Sequence, residues 1–172
     1  RVLFRSWLDR RVQDALEANL NIVVGLYADP DVFPALEVSS DLLEPYFLRN
    51  SEANVQLAQS WISKIPKDRL SGWYLPLEID DRRWRSANDA STLSRLLGRD
   101  FRELERLIDK PVYISAFFKG NSSPAQFKVL LESISKATSL KIWVQDGRGT
   151  GVLSPPETSL YLESLLTCHG SP

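Results

Sequence analysis

Ser71-Gly72-Trp73-Tyr74-Leu75-Pro76-Leu77-Glu78-Ile79-Asp80-Asp81 reads as a β-strand that ends in carboxylates. Successive side chains of a strand point to opposite sides. Trp73, Leu75, Leu77 and Ile79 therefore make one wholly apolar face, and Gly72, Tyr74, Pro76 and Glu78 make the other. An acid at the carboxyl end of a buried strand is a common way to place a catalytic group in an α/β enzyme. Many strand-end glutamates only solvate an edge. The nearby Trp73, Tyr74, Asp80, Asp81 and Trp84 favour the functional reading of Glu78.

The hydrophobic period on either side of this strand alternates between helix and strand. Phe4, Trp7, Leu8, Val12, Ala15 and Leu16 mark a helical face, and Asn21 to Ala28 reads as a short strand closed by Asp29-Pro30-Asp31. A helical region follows from about Ser39 to Ile65, with a break expected at Pro45. After the Gly72 to Ile79 strand, Leu93, Leu97, Phe101, Leu104 and Ile108 define another helix. Val112 to Phe118 is the third strand and Leu140 to Gln145 the fourth. Ser123-Pro124-Ala125-Gln126 and Ser154-Pro155-Pro156-Glu157 are capping boxes with Pro at the first helical position, so each opens a helix. The order αβαβαβαβα implies an α/β fold with a parallel sheet and right-handed crossovers.

Two architectures fit: an open doubly wound sheet and a section of an eight-stranded barrel. Ile22, Val24, Leu26 and Ala28 oppose Val23, Gly25, Tyr27 and Asp29. Val112, Ile114, Ala116 and Phe118 oppose Tyr113, Ser115, Phe117 and Lys119, while Ile142 and Val144 oppose Lys141, Trp143 and Gln145. Each strand has one apolar face and one mixed face, as in a TIM-type barrel whose strands face helices outside and a lumen inside. A sheet sandwiched by helices is more often apolar on both faces. The expected fold is therefore parallel β/α units of TIM-barrel type. A whole barrel takes eight strands and about 250 residues, so about four strands make residues 1–172 a single barrel-like domain, an internal portion of a larger barrel. Self-association is the other way to close such a sheet, whose edges otherwise stay unpaired.

The 172 residues are 43% hydrophobic and 25% charged, ordinary values for a globular chain with a core. A net charge of -1 gives no basic field for nucleic acid or anionic lipid. No apolar run is long enough to span a bilayer. The chain starts at Arg1 and has no Met, which reads as a processed or excerpted product. Cys168 and His169, the only residues of their kinds, lie in a polar tail and read as a frayed terminus rather than a metal or thiol site. No metal and no cofactor are expected.

Four motifs carry a family resemblance: Gly25-Leu26-Tyr27-Ala28-Asp29-Pro30, Gly72 to Asp81, Ile114-Ser115-Ala116-Phe117-Phe118-Lys119-Gly120, and Gln145-Asp146-Gly147-Arg148-Gly149. Together they resemble a bacterial family catalogued as domain of unknown function 4434, which looks like a TIM barrel related to glycoside hydrolases. The resemblance implies that these are the third to sixth strands of the barrel. It also implies that Glu78 stands where related glycosidases put their acid/base, after the fourth strand. The nucleophile's strand, the seventh, has no counterpart here. A periplasmic or secreted location is likewise implied by the resemblance, with a cytoplasmic one open.

Glycoside hydrolysis uses two carboxyl groups, one to protonate the leaving oxygen and one to attack or to activate water. Glu78 is the candidate acid, with Tyr74 expected to help exclude water from it. Asp146 is the candidate second carboxylate, with Asp29 as the alternative; either also suits a plain turn. The expected substrate-binding residues are Tyr27, Asp29, Tyr74, Asp80, Asp81, Trp84, Phe118 and Gln145. The aromatic members are chosen because rings stack on the apolar faces of sugars, while Asp80 and Asp81 also suit a loop-holding role. The expected ligand is a polysaccharide or oligosaccharide. A non-catalytic carbohydrate-binding or assembly module is the alternative. A third reading takes Gly147-Arg148-Gly149-Thr150-Gly151 as a phosphate loop, although it lacks the Lys-Ser/Thr of a P-loop.

Overall fold

The structure is a computed structural model that describes residues 2–37 and 40–166. Cys168 and His169 lie outside the described residues. Chain order is α1 (Val2–Glu17), β1 (Ile22–Gly25), α2 (Val32–Leu36), α3 (Ser40–Ile62), β2 (Leu70–Asp80), α4 (Ala87–Leu107), β3 (Val112–Phe117), α5 (Pro124–Thr138), β4 (Lys141–Gln145) and α6 (Pro155–Leu166), with a 3-10 turn at Arg148–Thr150.

The four strands form one sheet in the order β1-β2-β3-β4, and every pairing is parallel. This order decides between the two architectures. A doubly wound sheet reverses its strand order at a switch point, which sends helices to both faces. An order that never reverses, joined by right-handed crossovers, keeps the crossover helices on one face. α3 packs on α4, α4 on α5 and α5 on α6 in one continuous layer. The fold is thus a four-stranded portion of a β/α barrel, helices outside and an inner sheet face that no described helix covers.

The core lies between sheet and helices. Trp73, Ile79, Val112, Ile114 and Ala116 are fully buried on the helix side, against Leu93, Leu97, Phe127 and Ile134. Each such apolar side chain of Leu or Phe size contributes about 1.5–3 kcal/mol by leaving water. The capping box read at Ser123 is complete. Ser123 Oγ accepts from Gln126 N while Gln126 Oε1 accepts from Ser123 N. At α6, Glu157 Oε2 accepts from Ser154 N at 2.8 Å.

Several boundaries differ from expectation for local reasons. β1 ends at Gly25 rather than Ala28, because the Tyr27 N–H is taken by Asn54 Oδ1 of α3 at 2.9 Å instead of by a strand. The single turn α2, with Pro34 inside it, is too short to show a period. α3 runs through Pro45 without a break. That residue lies near the helix start, where one missing N–H costs one hydrogen bond. α4 starts at Ala87, well before Leu93, because Ser86 caps it by accepting from Asp89 N.

β2 is longer than its neighbours and carries two irregularities. Ser71 is surplus between the pairs Ile22↔Leu70 and Val23↔Gly72. Gly72 there has φ +155° and lies so close to β3 that a Cβ would sit 2.5 Å from Pro111 O, so only glycine fits. Pro76 and Leu77 are surplus between Leu75↔Ile114 and Glu78↔Ser115. Proline cannot donate to a ladder, and a bulge is where a strand tolerates it.

Candidate functional site

On the uncovered face, β2, β3 and β4 place their mixed-face residues side by side. Trp143 of β4 stacks on Tyr113 (centroids 4.6 Å, interplanar angle 25°) and on Tyr74 (5.5 Å, 17°). The Tyr74 and Ser115 hydroxyls share a 2.7 Å hydrogen bond. Trp143 remains 46% exposed. Each stacked pair adds about 0.5–1.5 kcal/mol beyond area burial, and the outer face of the indole stays accessible.

Nearer the carboxyl ends, Gln145 Nε2 donates to Glu78 Oε1 at 3.0 Å. Their side chains lie on the same face as Tyr74, Ser115 and Phe117 by register. Glu78, Phe117, Lys119, Gln145, Asp146 and Gly147 line a cavity of about 240 Å³. The Asp146 carboxylate also serves its own loop: Oδ1 accepts from Arg148 N at 3.1 Å, and Oδ2 lies 3.6 Å from Arg148 Nε. Gly147 seats that loop with φ +66°, and a Cβ there would fall 2.6 Å from Phe118 O. Gly147→Ala is therefore expected to cost about 1–3 kcal/mol and to move Asp146. Urea unfolding checks the first effect, and loss of ligand-induced NMR shifts at Gln145 checks the second.

The other residues expected at the site lie elsewhere. Phe118 is fully buried, stacked on Tyr161 at 4.3 Å and 3° and edge-on to Phe127, so it is core between β3, α5 and α6. Its alternation with Val112, Ile114 and Ala116 already put it on the helix side. Trp84 is also fully buried, with the Arg83 guanidinium 4.8 Å above its ring, and offers no surface to a sugar. Asp80 closes a turn by accepting from the N–H groups of Arg82 and Arg83. Arg83 itself pairs with Asp89 at 2.8 Å rather than with Asp80 or Asp81.

Asp81 is 0% exposed. Its Oδ1 accepts from Lys119 N at 3.1 Å and Asn121 Nδ2 at 2.9 Å; its Oδ2 accepts from Asn121 N at 2.8 Å and Ser122 N at 3.4 Å. It anchors the β3–α5 loop and supports the site from behind. Lys119 was not singled out from the sequence as a ligand contact. The available signal was its place in the mixed series Tyr113, Ser115, Phe117, Lys119.

Tyr27 and Asp29 line a second, narrow recess of about 30 Å³ with Tyr46, Asn50, Asn54 and Asp100, between the end of β1, α3 and α4. Burial pushes the Tyr46 hydroxyl up to about 12, the charge of Asp29 adding to it. Burial likewise raises Asp100 from 3.8 to about 6; Ser51 and Arg99 work against that rise and Glu103 adds to it. Asp100 Oδ1 has no partner among the described residues. The native state thus holds its proton more tightly than the unfolded chain does. Stability is highest below about pH 4 as far as this group is concerned, and falls by roughly 2–3 kcal/mol as pH rises to about 6. Asp100→Asn is expected to abolish that fall and to stabilise the fold by about 1–3 kcal/mol at pH 7. Urea titrations at pH 4, 5, 6 and 7 on both proteins measure it.

Among the described residues, no cluster of His, Cys, Asp and Glu could hold a metal ion, and no helix is long and apolar enough to cross a membrane. A family model described as "Domain of unknown function (DUF4434)" matches residues 2–170. A protein of Escherichia coli (strain K12) described as "Uncharacterized protein YbcH" is 40% identical over 165 residues, which cover 96% of this chain and 55% of that protein. The chain thus spans about half the length of the curated relative it matches. No solved structure matches.

Proposed function

The chain belongs to the family described as domain of unknown function (DUF4434), and from that premise we propose that it is a glycoside-hydrolase-like protein acting on a polysaccharide or oligosaccharide. Glu78 is the proton donor to the leaving glycosidic oxygen. The observation that carries this reading is the placement of Glu78 on the uncovered sheet face at a strand's carboxyl end. There it is held by Gln145 in a cavity that also contains Asp146. Barrel enzymes keep their chemistry at that end of the strands. The Tyr74–Trp143–Tyr113 stack below offers an indole surface for the apolar side of a sugar ring. As in the larger barrel this portion fits, Asp146 or a carboxylate on a further strand supplies the second group. A periplasmic or secreted location goes with this reading, a cytoplasmic one being the alternative. Self-association through the unpaired edges of β1 and β4 is a further part of the reading.

One feature favours a second reading, a non-catalytic carbohydrate-binding module: both Asp146 oxygens are engaged by Arg148, which leaves Glu78 without an uncommitted partner carboxylate in the cavity. The test is a panel of reducing-end-labelled oligosaccharides, scored for cleavage by chromatography and for binding by calorimetry. Cleavage by the wild type that disappears in Glu78→Gln supports the enzyme. Binding without cleavage supports the module. Neither binding nor cleavage rejects the carbohydrate reading.

A further inference from the structure

The cavity beside Glu78 has an uneven charge arrangement. Asp146 is matched by Arg148, with Nε 3.6 Å from Oδ2. Glu78 is held by a neutral amide. Lys119 is the remaining charged group on the lining, and among the described residues no ion pair includes it. Its ammonium lies 5.1 Å from the Phe117 ring centroid, and the residue is exposed.

This lysine is also pre-positioned at its root. Its backbone N–H donates to the fully buried Asp81 carboxylate at 3.1 Å. The bond fixes the loop backbone from which the side chain leaves. The cavity is smaller than the roughly 300–1,000 Å³ of sites that enclose drug-sized molecules, which suits a single sugar ring. An ammonium at such a wall makes charge-assisted hydrogen bonds to oxyanions, about twice as strong as neutral ones.

We propose that Lys119 recognises an anionic substituent, a carboxylate or a sulfate or phosphate ester, on the sugar held beside Glu78, so that the ligand is an acidic glycan rather than a neutral one. This rests on the carbohydrate reading above and narrows its substrate class. The test is calorimetric binding of three probes: oligogalacturonate, the neutral galactose oligomer of the same length, and a sulfated galactose oligomer.

The wild type is expected to bind one of the acidic probes about tenfold more tightly than the neutral one. Whichever acidic probe leads identifies the substituent. Lys119→Gln removes the charge and is expected to erase the preference, so that acidic and neutral probes bind alike. Lys119→Arg is expected to retain the preference. Rising salt is expected to shrink it in the wild type, as screening requires. Equal affinity for neutral and acidic probes, or an undiminished preference in Lys119→Gln, overturns the role of Lys119 and leaves the carbohydrate reading standing. Failure of all three probes to bind overturns both. Thermal unfolding of each variant confirms that the fold is intact.

Discussion

Glu78→Gln is expected to lower glycoside hydrolysis by about 10²- to 10⁴-fold, the usual contribution of a positioned general acid. The substitution preserves shape. The new amide oxygen still accepts the Gln145 hydrogen bond seen at 3.0 Å, so oligosaccharide affinity should change by less than about threefold. In the proposed mechanism, what it removes is the proton for the departing oxygen. Substrates whose leaving group departs without protonation, such as glycosyl fluorides, should therefore retain most of their rate in the mutant. Natural glycosides should not. That contrast separates a lost acid from a disturbed pocket, which would slow both alike. Wild-type turnover of natural glycosides in Glu78→Gln would remove the residue from the mechanism.

The largest expected effect on stability falls on Asp81. Its two oxygens receive four hydrogen bonds from residues 119, 121 and 122, and the residue has no exposed surface. Asp81→Ala leaves those donors without their acceptor. Each buried orphan costs about 1–3 kcal/mol, and because the loop is partly exposed some donors regain water. The expected net loss is about 3–4 kcal/mol, or roughly 6–16 °C in Tm for a chain of this size. Asp81→Asn should lose nearly as much, because its NH2 group turns toward an N–H where an acceptor is needed. Hydrogen exchange should show the loss first in the N–H groups of Lys119, Asn121 and Ser122. A fold equally stable after Asp81→Asn would contradict the anchoring role.

Much of this arrangement was legible in the residues. Strict alternation in β2 and β3 put Trp73, Ile79, Val112 and Ile114 in the core, and Ser123 and Gln126 announced α5. The signals that failed were those with no period. The single turn α2 is shorter than a helical repeat. The Ser86–Asp89 cap lacks the Glu or Gln of a capping box, which hid the first turns of α4. The bulge at Pro76 and Leu77 inserts two residues, which leaves the alternation on both sides unbroken and so invisible.

At the candidate site, Glu78, Gln145 and Asp146 line one cavity because the carboxyl ends of neighbouring parallel strands converge. Trp84 and Phe118 were drawn toward the ligand by residue type alone, although burial of an aromatic depends on what packs over it. For Trp84 that includes Arg83, and for Phe118 it is Tyr161 and Phe127. Tyr27 and Asp29 follow a strand that ends early, and the chain carries them to the α3 side instead.

The paired surplus in β2 also bears on how such a gene can change. Loss of one codon between Leu75 and Glu78 would leave one surplus residue, the form β2 already carries at Ser71, and would keep Glu78 paired with Ser115 on the uncovered face. Loss of both would restore a regular ladder with the same facing. Shortening here should therefore spare the acid's orientation, whereas the same loss in the regular Tyr113–Phe117 ladder would turn every later side chain to the other face.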